Sequence, residues 1–294
     1  MLTRRTIAAV LTAMLLSTIA AAPASAAKPA RPPAEPTGGE RALTADERAA
    51  ADRRFAAAEA YESAIQAQGL DLVSLSCATP NSDTTSATTT AVTQACAVPQ
   101  GFLGVEARDQ VFGHYCGPAV GQVIANYSWA MASGANKYTQ GKIAGWMGTA
   151  AGGTDAFGME DGLEAATVKS PRRPWNWDWV VADLRDRDGD GSTGDELHTY
   201  VRSNISASRM PMAIPVKPHD WASQFNLSSW PKPVASPGHW ITIYGWYNTW
   251  DGLDRARIYF TDSSRDEGGA TGKFWNPTRH IATLINEHTR RFVW

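Results

Sequence analysis

Cys116 is the residue of this chain with the clearest capacity for covalent chemistry. It stands in Gln110-Val111-Phe112-Gly113-His114-Tyr115-Cys116-Gly117-Pro118-Ala119, at the mouth of a predicted helix. The apolar residues Val120, Val123, Ile124, Tyr127 and Met131 recur there at three- and four-residue steps. A thiol at a helix start meets unpaired backbone N–H groups and the positive end of the helix dipole, and both favour a thiolate. Attack on a carbonyl also needs a base and a group that orients the base. Among the six histidines, His239 opens the most apolar strand candidate, in Pro237-Gly238-His239-Trp240. Asp262 follows the next strand candidate, Ile258-Tyr259-Phe260. If these strands form an antiparallel pair, the start of the first lies beside the end of the second, and Asp262 meets His239. Gln110, six residues before the cysteine, supplies an amide donor for an oxyanion, beside the Cys116 backbone N–H. Each residue also has a plainer reading. A lone histidine is most often a core residue, and Gln110 by itself is an ordinary loop amide. His114 and Tyr115 are better placed to line a cleft than to act on the neighbouring thiol.

The elements that must position these groups follow in an order of helices first and strands later, which predicts an α+β fold. Helices are expected at 142–147, from 159 to about 168, at 196–206 and at 280–287. Strands are expected at 212–216, 240–246, 256–260 and 273–276, and residues 179–184 read as either state. Residues 98–294 form the predicted catalytic domain. Before it, Thr44 and Glu47 make a capping box for an Ala-rich helix running to Gln68, with Gly69 as its stop. That helix belongs to a segment, 27–97, that reads as a linker, a helical prosegment or packed arm, and a Ser/Thr-rich loop.

Residues 1–26 have the build of a secretory signal peptide. Arg4 and Arg5 precede an apolar run from Ile7 to Ala20, and Ala24-Ser25-Ala26 is a small-x-small cleavage site. The mature protein is therefore expected to be secreted, with no membrane attachment after cleavage, and to be a monomer. A net charge of −2 gives no electrostatic basis for binding nucleic acid. Twelve tryptophans, mostly in the second half, imply a large aromatic core or an aromatic-lined groove. In an exported chain, three cysteines leave one thiol over. Pairing Cys77 with Cys96 leaves Cys116 unpaired, whereas pairing Cys96 with Cys116 would abolish the chemistry.

A second motif is acidic. Asp186-Arg187-Asp188-Gly189-Asp190-Gly191 matches the first half of a calcium loop, with carboxylates at positions 1, 3 and 5 and glycine at 6. Ser192 would offer its carbonyl. Leu197 occupies position 12, where a bidentate carboxylate belongs, and Glu196 stands one residue early, so a shortened loop would use Glu196 as its last ligand. Structural calcium is the expectation. The alternative is a solvated acidic turn, and no cofactor is expected for catalysis.

Gln110, Cys116-Gly117-Pro118-Ala119, Gly238-His239 and Asp262, in this order, resemble the papain-like cysteine peptidases. They resemble most the bacteriocin-processing (double-glycine) peptidase-like family, over residues 105–294. Gly148-Thr149, Gly153-Thr154 and Phe274-Trp275 also sit where that family carries related segments. The resemblance implies a papain-like fold with the cysteine helix packed on an antiparallel sheet, and peptide or protein substrates. It implies Cys116 as nucleophile, His239 as general base and acid, Asp262 as orienter and Gln110 as oxyanion donor. The family often has proline after the aspartate, where this chain has Ser263-Ser264, and leader-peptide processing is not carried over. Two alternatives stand beside a secreted cysteine peptidase. One is an acyltransferase or amidase of transglutaminase type on the same site. The other is a secreted binding module on a degenerate peptidase fold.

Overall fold

The computed structural model describes residues 41–67, 100–219, 223–230, 233, 236, 238–248, 256–264 and 269–294. The expected signal peptide, most of the expected linker and both Cys77 and Cys96 lie outside the described residues. The chain divides into two units. One comprises residues 1–36 and 175–177, and of its described residues Trp175 is almost fully exposed. The other unit, residues 37–174 and 178–294, contains the helices and the sheet.

Seven strands make the sheet among the described residues: β1 (Gln100–Phe102), β2 (Val181–Asp183), β3 (Met212–Val216), β4 (His239–Tyr247), β5 (Arg257–Asp262), β6 (Gly272–Pro277) and β7 (Arg291–Val293). The order is β2-β7-β3-β4-β5-β6, and every pairing is antiparallel. β4 is the central strand. Its sequence, HWITIYGWY, is buried through its first eight residues, as expected of a strand covered on both faces. β3 pairs with its first half, Val216 opposite His239, and β1 takes over along Gly245–Tyr247. On the other side β4 pairs with β5 across an irregularity between Ile243 and Gly245.

The helices are α1 (Ala45–Ala67), α2 (Cys116–Ser128), α3 (Gln140–Met147), α4 (Ala156–Thr167), α5 (Gly194–Arg202) and α6 (Thr278–Glu287). α2 is buried on all sides and packs against β4, α3 and α4, which makes it the central helix. Its approach to α3 requires Gly121, where a Cβ would lie 2.5 Å from Met147 Cε and 2.8 Å from Ile143 Cγ2. α3 and α4 begin at side-chain caps: Thr139 accepts from the Lys142 N–H at 3.2 Å, and Asp155 from the Gly158 N–H at 2.6 Å. α1 has the predicted capping box, with the Thr44 N–H donating to Glu47 at 2.8 Å and the Glu47 N–H to Thr44 Oγ1 at 3.2 Å.

The fold is thus a mixture of helices and an antiparallel sheet. Three details depart from the expectations. α2 ends at Ser128, short of Met131, and Ala130 follows with φ +53°. The predicted helix 196–206 is an α-helix only to Arg202 and continues as a π-helix, Ser203–Ser208. The short strands β1 and β7 were not expected, because three residues give no readable alternation.

α1 lies along the outer edge of the sheet against β2, α5 and the π-helix, with β7 and β3 between β2 and β4. Its apolar contribution is modest: Ala51, Phe55 and Ala58 are buried, and Phe55 meets Tyr200 at a ring separation of 4.6 Å. Charges do much of the fastening. Asp52 pairs with Arg185 and with Arg187 (2.8 Å), and Glu62 pairs with Arg202 at 2.9 Å. Arg54 donates to Asn204 Oδ1 at 3.1 Å and lies over the Trp294 ring. Burial pushes the Arg54 guanidinium down to about 9, against the opposing pull of Asp178.

Candidate active site

Cys116 is the first residue of α2, is buried and is a free thiol. Gly117 allows the helix start to press on Thr154, where a Cβ would lie 2.5 Å from Thr154 Oγ1. Thr154 in turn is tied to Thr149 through their hydroxyls at 2.7 Å, and its carbonyl accepts from Trp240 Nε1 at 2.8 Å. The cysteine end of α2 and the histidine end of β4 are thus linked through one residue, Thr154.

His239, the first residue of β4, and Asp262, the last of β5, meet across the antiparallel pair. His239 Nε2 and Asp262 Oδ1 are 2.7 Å apart, and both side chains are buried. Cys116 acts on the same ring, as the next group after Asp262 that favours its charged form. Burial opposes a charge on His239. The Asp262 carboxylate, and after it Cys116, outweigh that cost and raise the imidazolium to about 10. Burial likewise opposes the Asp262 charge, and His239, Ser229 and the Ser264 N–H hold it below the usual carboxylate range.

Asp262 has no spare acceptor. Oδ1 also takes the Ser264 N–H at 2.8 Å, and Oδ2 accepts from Ser229 Oγ at 2.6 Å and Trp230 Nε1 at 2.9 Å. The Trp230 ring also covers His239, at a centroid distance of 5.1 Å. Ser229 and Trp230 were not picked out from the sequence. They stand over thirty residues from Asp262, and nothing in a lone Ser-Trp marks it as a carboxylate clamp.

Gln110 is buried, which removes the surface-amide reading. Its backbone N–H donates to the carbonyl of Ser263, the residue after Asp262, at 3.0 Å. Its Nε2 donates to the Gly113 carbonyl at 2.8 Å, so one of its two amide hydrogens is engaged within the loop leading to Cys116. The same loop is anchored by Gln140, which accepts from the Val111 N–H at 3.0 Å and donates to the Asp109 carbonyl at 2.7 Å. Val111 and Phe112, on the loop's outer side, are exposed. His114 stacks on Phe112 with 14° between the rings, and Tyr115 packs edge-on to both. His114 is therefore part of an aromatic rim, while His239 is the ring whose charge Cys116 favours.

The acidic loop lies between β2 and α5. Asp186, Asp188 and Asp190 are exposed, and an oxygen of each comes within 4.8 Å of those of the others. A second group joins Asp188 to Asp195 and Glu196 within the same span. Ser192 receives the Gly194 N–H on its hydroxyl and stands within the turn. Asp195, one residue before Glu196, belongs to this group although the standard loop spacing places no ligand at its position.

No family model and no curated protein matches the chain. Among solved structures it is similar to the peptidase domain of Streptococcus ComA, a bi-functional ABC transporter involved in a quorum-sensing pathway. The TM-score is 0.34 and the identity 11%, over 64% of this chain and 96% of that domain.

Proposed function

We propose that this protein is a secreted, papain-like cysteine peptidase. The observation that carries the proposal is the buried His239, held by Asp262 through Nε2, with the free thiol at the head of α2 among the groups that favour the charge on its ring. His239, whose charged form Asp262 favours, carries the proton that the thiol gives up. The thiolate attacks the scissile carbonyl, a C–S bond forms, and the electron pair moves to the carbonyl oxygen. The second amide hydrogen of Gln110 and the Cys116 N–H, which as the first of a helix has no partner within it, are the donors offered to that oxyanion. His239 then gives its proton to the departing amine as the C–N bond breaks. Water attacks the thioester, His239 accepts the water's proton, and rupture of the C–S bond restores the ion pair. Asp262 keeps the ring oriented and charged throughout, and its three other donors keep Asp262 in place.

The test is digestion of a complex peptide mixture, reading new N-termini by mass spectrometry. Wild type is expected to generate new termini. Cys116→Ala, folded by circular dichroism, is expected to lose at least about a thousandfold in rate. Turnover by Cys116→Ala at the wild-type rate would refute the proposal. Capture of the acyl group by added amines in place of water would move the reading to an acyltransferase.

A further inference from the structure

We propose that the loop 186–196 is a calcium site that clasps the N-terminal helix to the catalytic domain. Two carboxylates at its inner end have oxygens without any hydrogen-bond partner among the described residues: Glu196 Oε2 and Asp195 Oδ1. Glu196 is only 4% exposed. A buried carboxylate oxygen with no donor is costly, and a cation beside it would remove that cost. An oxygen of Glu196 lies within 4.8 Å of oxygens of Asp188 and Asp195, and Asp188 also belongs to the outer group with Asp186 and Asp190. Ca²⁺ takes oxygen ligands at about 2.3–2.6 Å, so oxygens on opposite sides of one ion stand about 5 Å apart. Each group of three has the spacing of ligands around one ion, and Asp188 belongs to both groups. The choice of Ca²⁺ over Mg²⁺ follows from the donors: five carboxylates on a bending loop suit a large ion with flexible coordination, whereas Mg²⁺ demands a tight octahedron and retains water. Gly191, at φ +85°, makes the turn that brings the two groups together.

The position of the loop gives the ion a task. Glu196 accepts the backbone N–H of Arg187, and the Arg187 and Arg185 side chains both grip Asp52 of α1. An ion that fixes Glu196 and Asp188 fixes the residue between Asp186 and Asp188, and with it the two arginines that hold the helix. Without the ion, mutual repulsion of the carboxylates opens the loop and loosens α1.

Calorimetric titration of the chelator-stripped, signal-cleaved chain with CaCl₂ tests the site. One saturable ion is expected, with a rise in Tm of about 5 °C or more at saturation. Binding should fall at least about tenfold in Glu196→Gln and, on the exposed side where folding is safe, in Asp188→Asn. Trypsin tests the clasp: cleavage within residues 45–67 should be several-fold faster in chelator than in Ca²⁺. The absence of saturable binding, or binding unchanged in both variants, overturns the site. Binding with equal cleavage rates in the two conditions overturns the clasp.

Discussion

Asp262 and Glu196 are both buried carboxylates, and their surroundings could hardly differ more. Asp262 accepts from His239, Ser229, Trp230 and the Ser264 N–H, with every oxygen used. Glu196 has one oxygen on the Arg187 N–H and one with no partner, beside another acid. The first carboxylate has its cation built into the chain, the imidazolium of His239. The second is proposed to meet a cation that the chain does not contain. Burial of charge is thus explained in each case by what stands opposite it, and the two cases call for opposite experiments.

The largest expected effect that separates them is on activity. Asp262→Asn should reduce kcat/KM by about a hundredfold or more, because the ring loses both its orientation and the charge that keeps it protonated. Glu196→Gln in Ca²⁺-free buffer should leave kcat/KM within about twofold, since no part of that loop is proposed to touch substrate. A comparable loss in both would merge the two regions.

The pH dependence sharpens the same contrast. His239 is raised from its ordinary 6.5 to about 10, so its share of the stability is complete below 6.5 and is lost as pH climbs through about 10. Asp262 is lowered, so its share is present above its ordinary 3.8 and is lost as pH falls through its depressed value. Activity that needs the imidazolium–thiolate pair should therefore decline on the alkaline side with His239. In Asp262→Asn, burial acts unopposed by that carboxylate, and the alkaline limb should move to lower pH. A pH–kcat/KM profile with the limb unmoved would contradict the assignment.

Stability gives an effect of opposite sign in the two places. Asp262→Asn turns an amide N–H₂ toward groups that already donate, and should cost about 1–3 kcal/mol in denaturant unfolding. Glu196→Gln in chelator removes an unpartnered buried charge and keeps the acceptor for Arg187, so stability should hold or rise. The smallest expected catalytic loss is that of Gln110→Ala, about tenfold to a hundredfold in kcat with KM little changed. That is the split expected of a donor used only in the transition state.

How much of this was legible in the sequence depends on range. The start of α2, the capping box of α1, and the long strands β4 and β5 are local patterns, and they could be read from periodicity and caps. The meeting of His239 with Asp262 could also be anticipated, because adjacent antiparallel strands bring the start of one to the end of the next. What could not be read is contact between distant, undistinguished residues. Trp230 and Ser229 on Asp262 and Gln140 under the Gln110 loop each depend on tertiary packing and carry no local signature. β1 and β7 were missed for a related reason: they exist because β4 and β3 offer them edges.

The most direct test of the central claim is the rate at which iodoacetamide modifies Cys116, followed by peptide mass spectrometry in wild type and in folded His239→Ala at one neutral pH. If His239 holds the thiol as its ion-pair partner, wild type is modified at Cys116, and the variant reacts at least about tenfold more slowly. Equal rates in the two proteins, or no modification of Cys116 in the folded wild type, would contradict it.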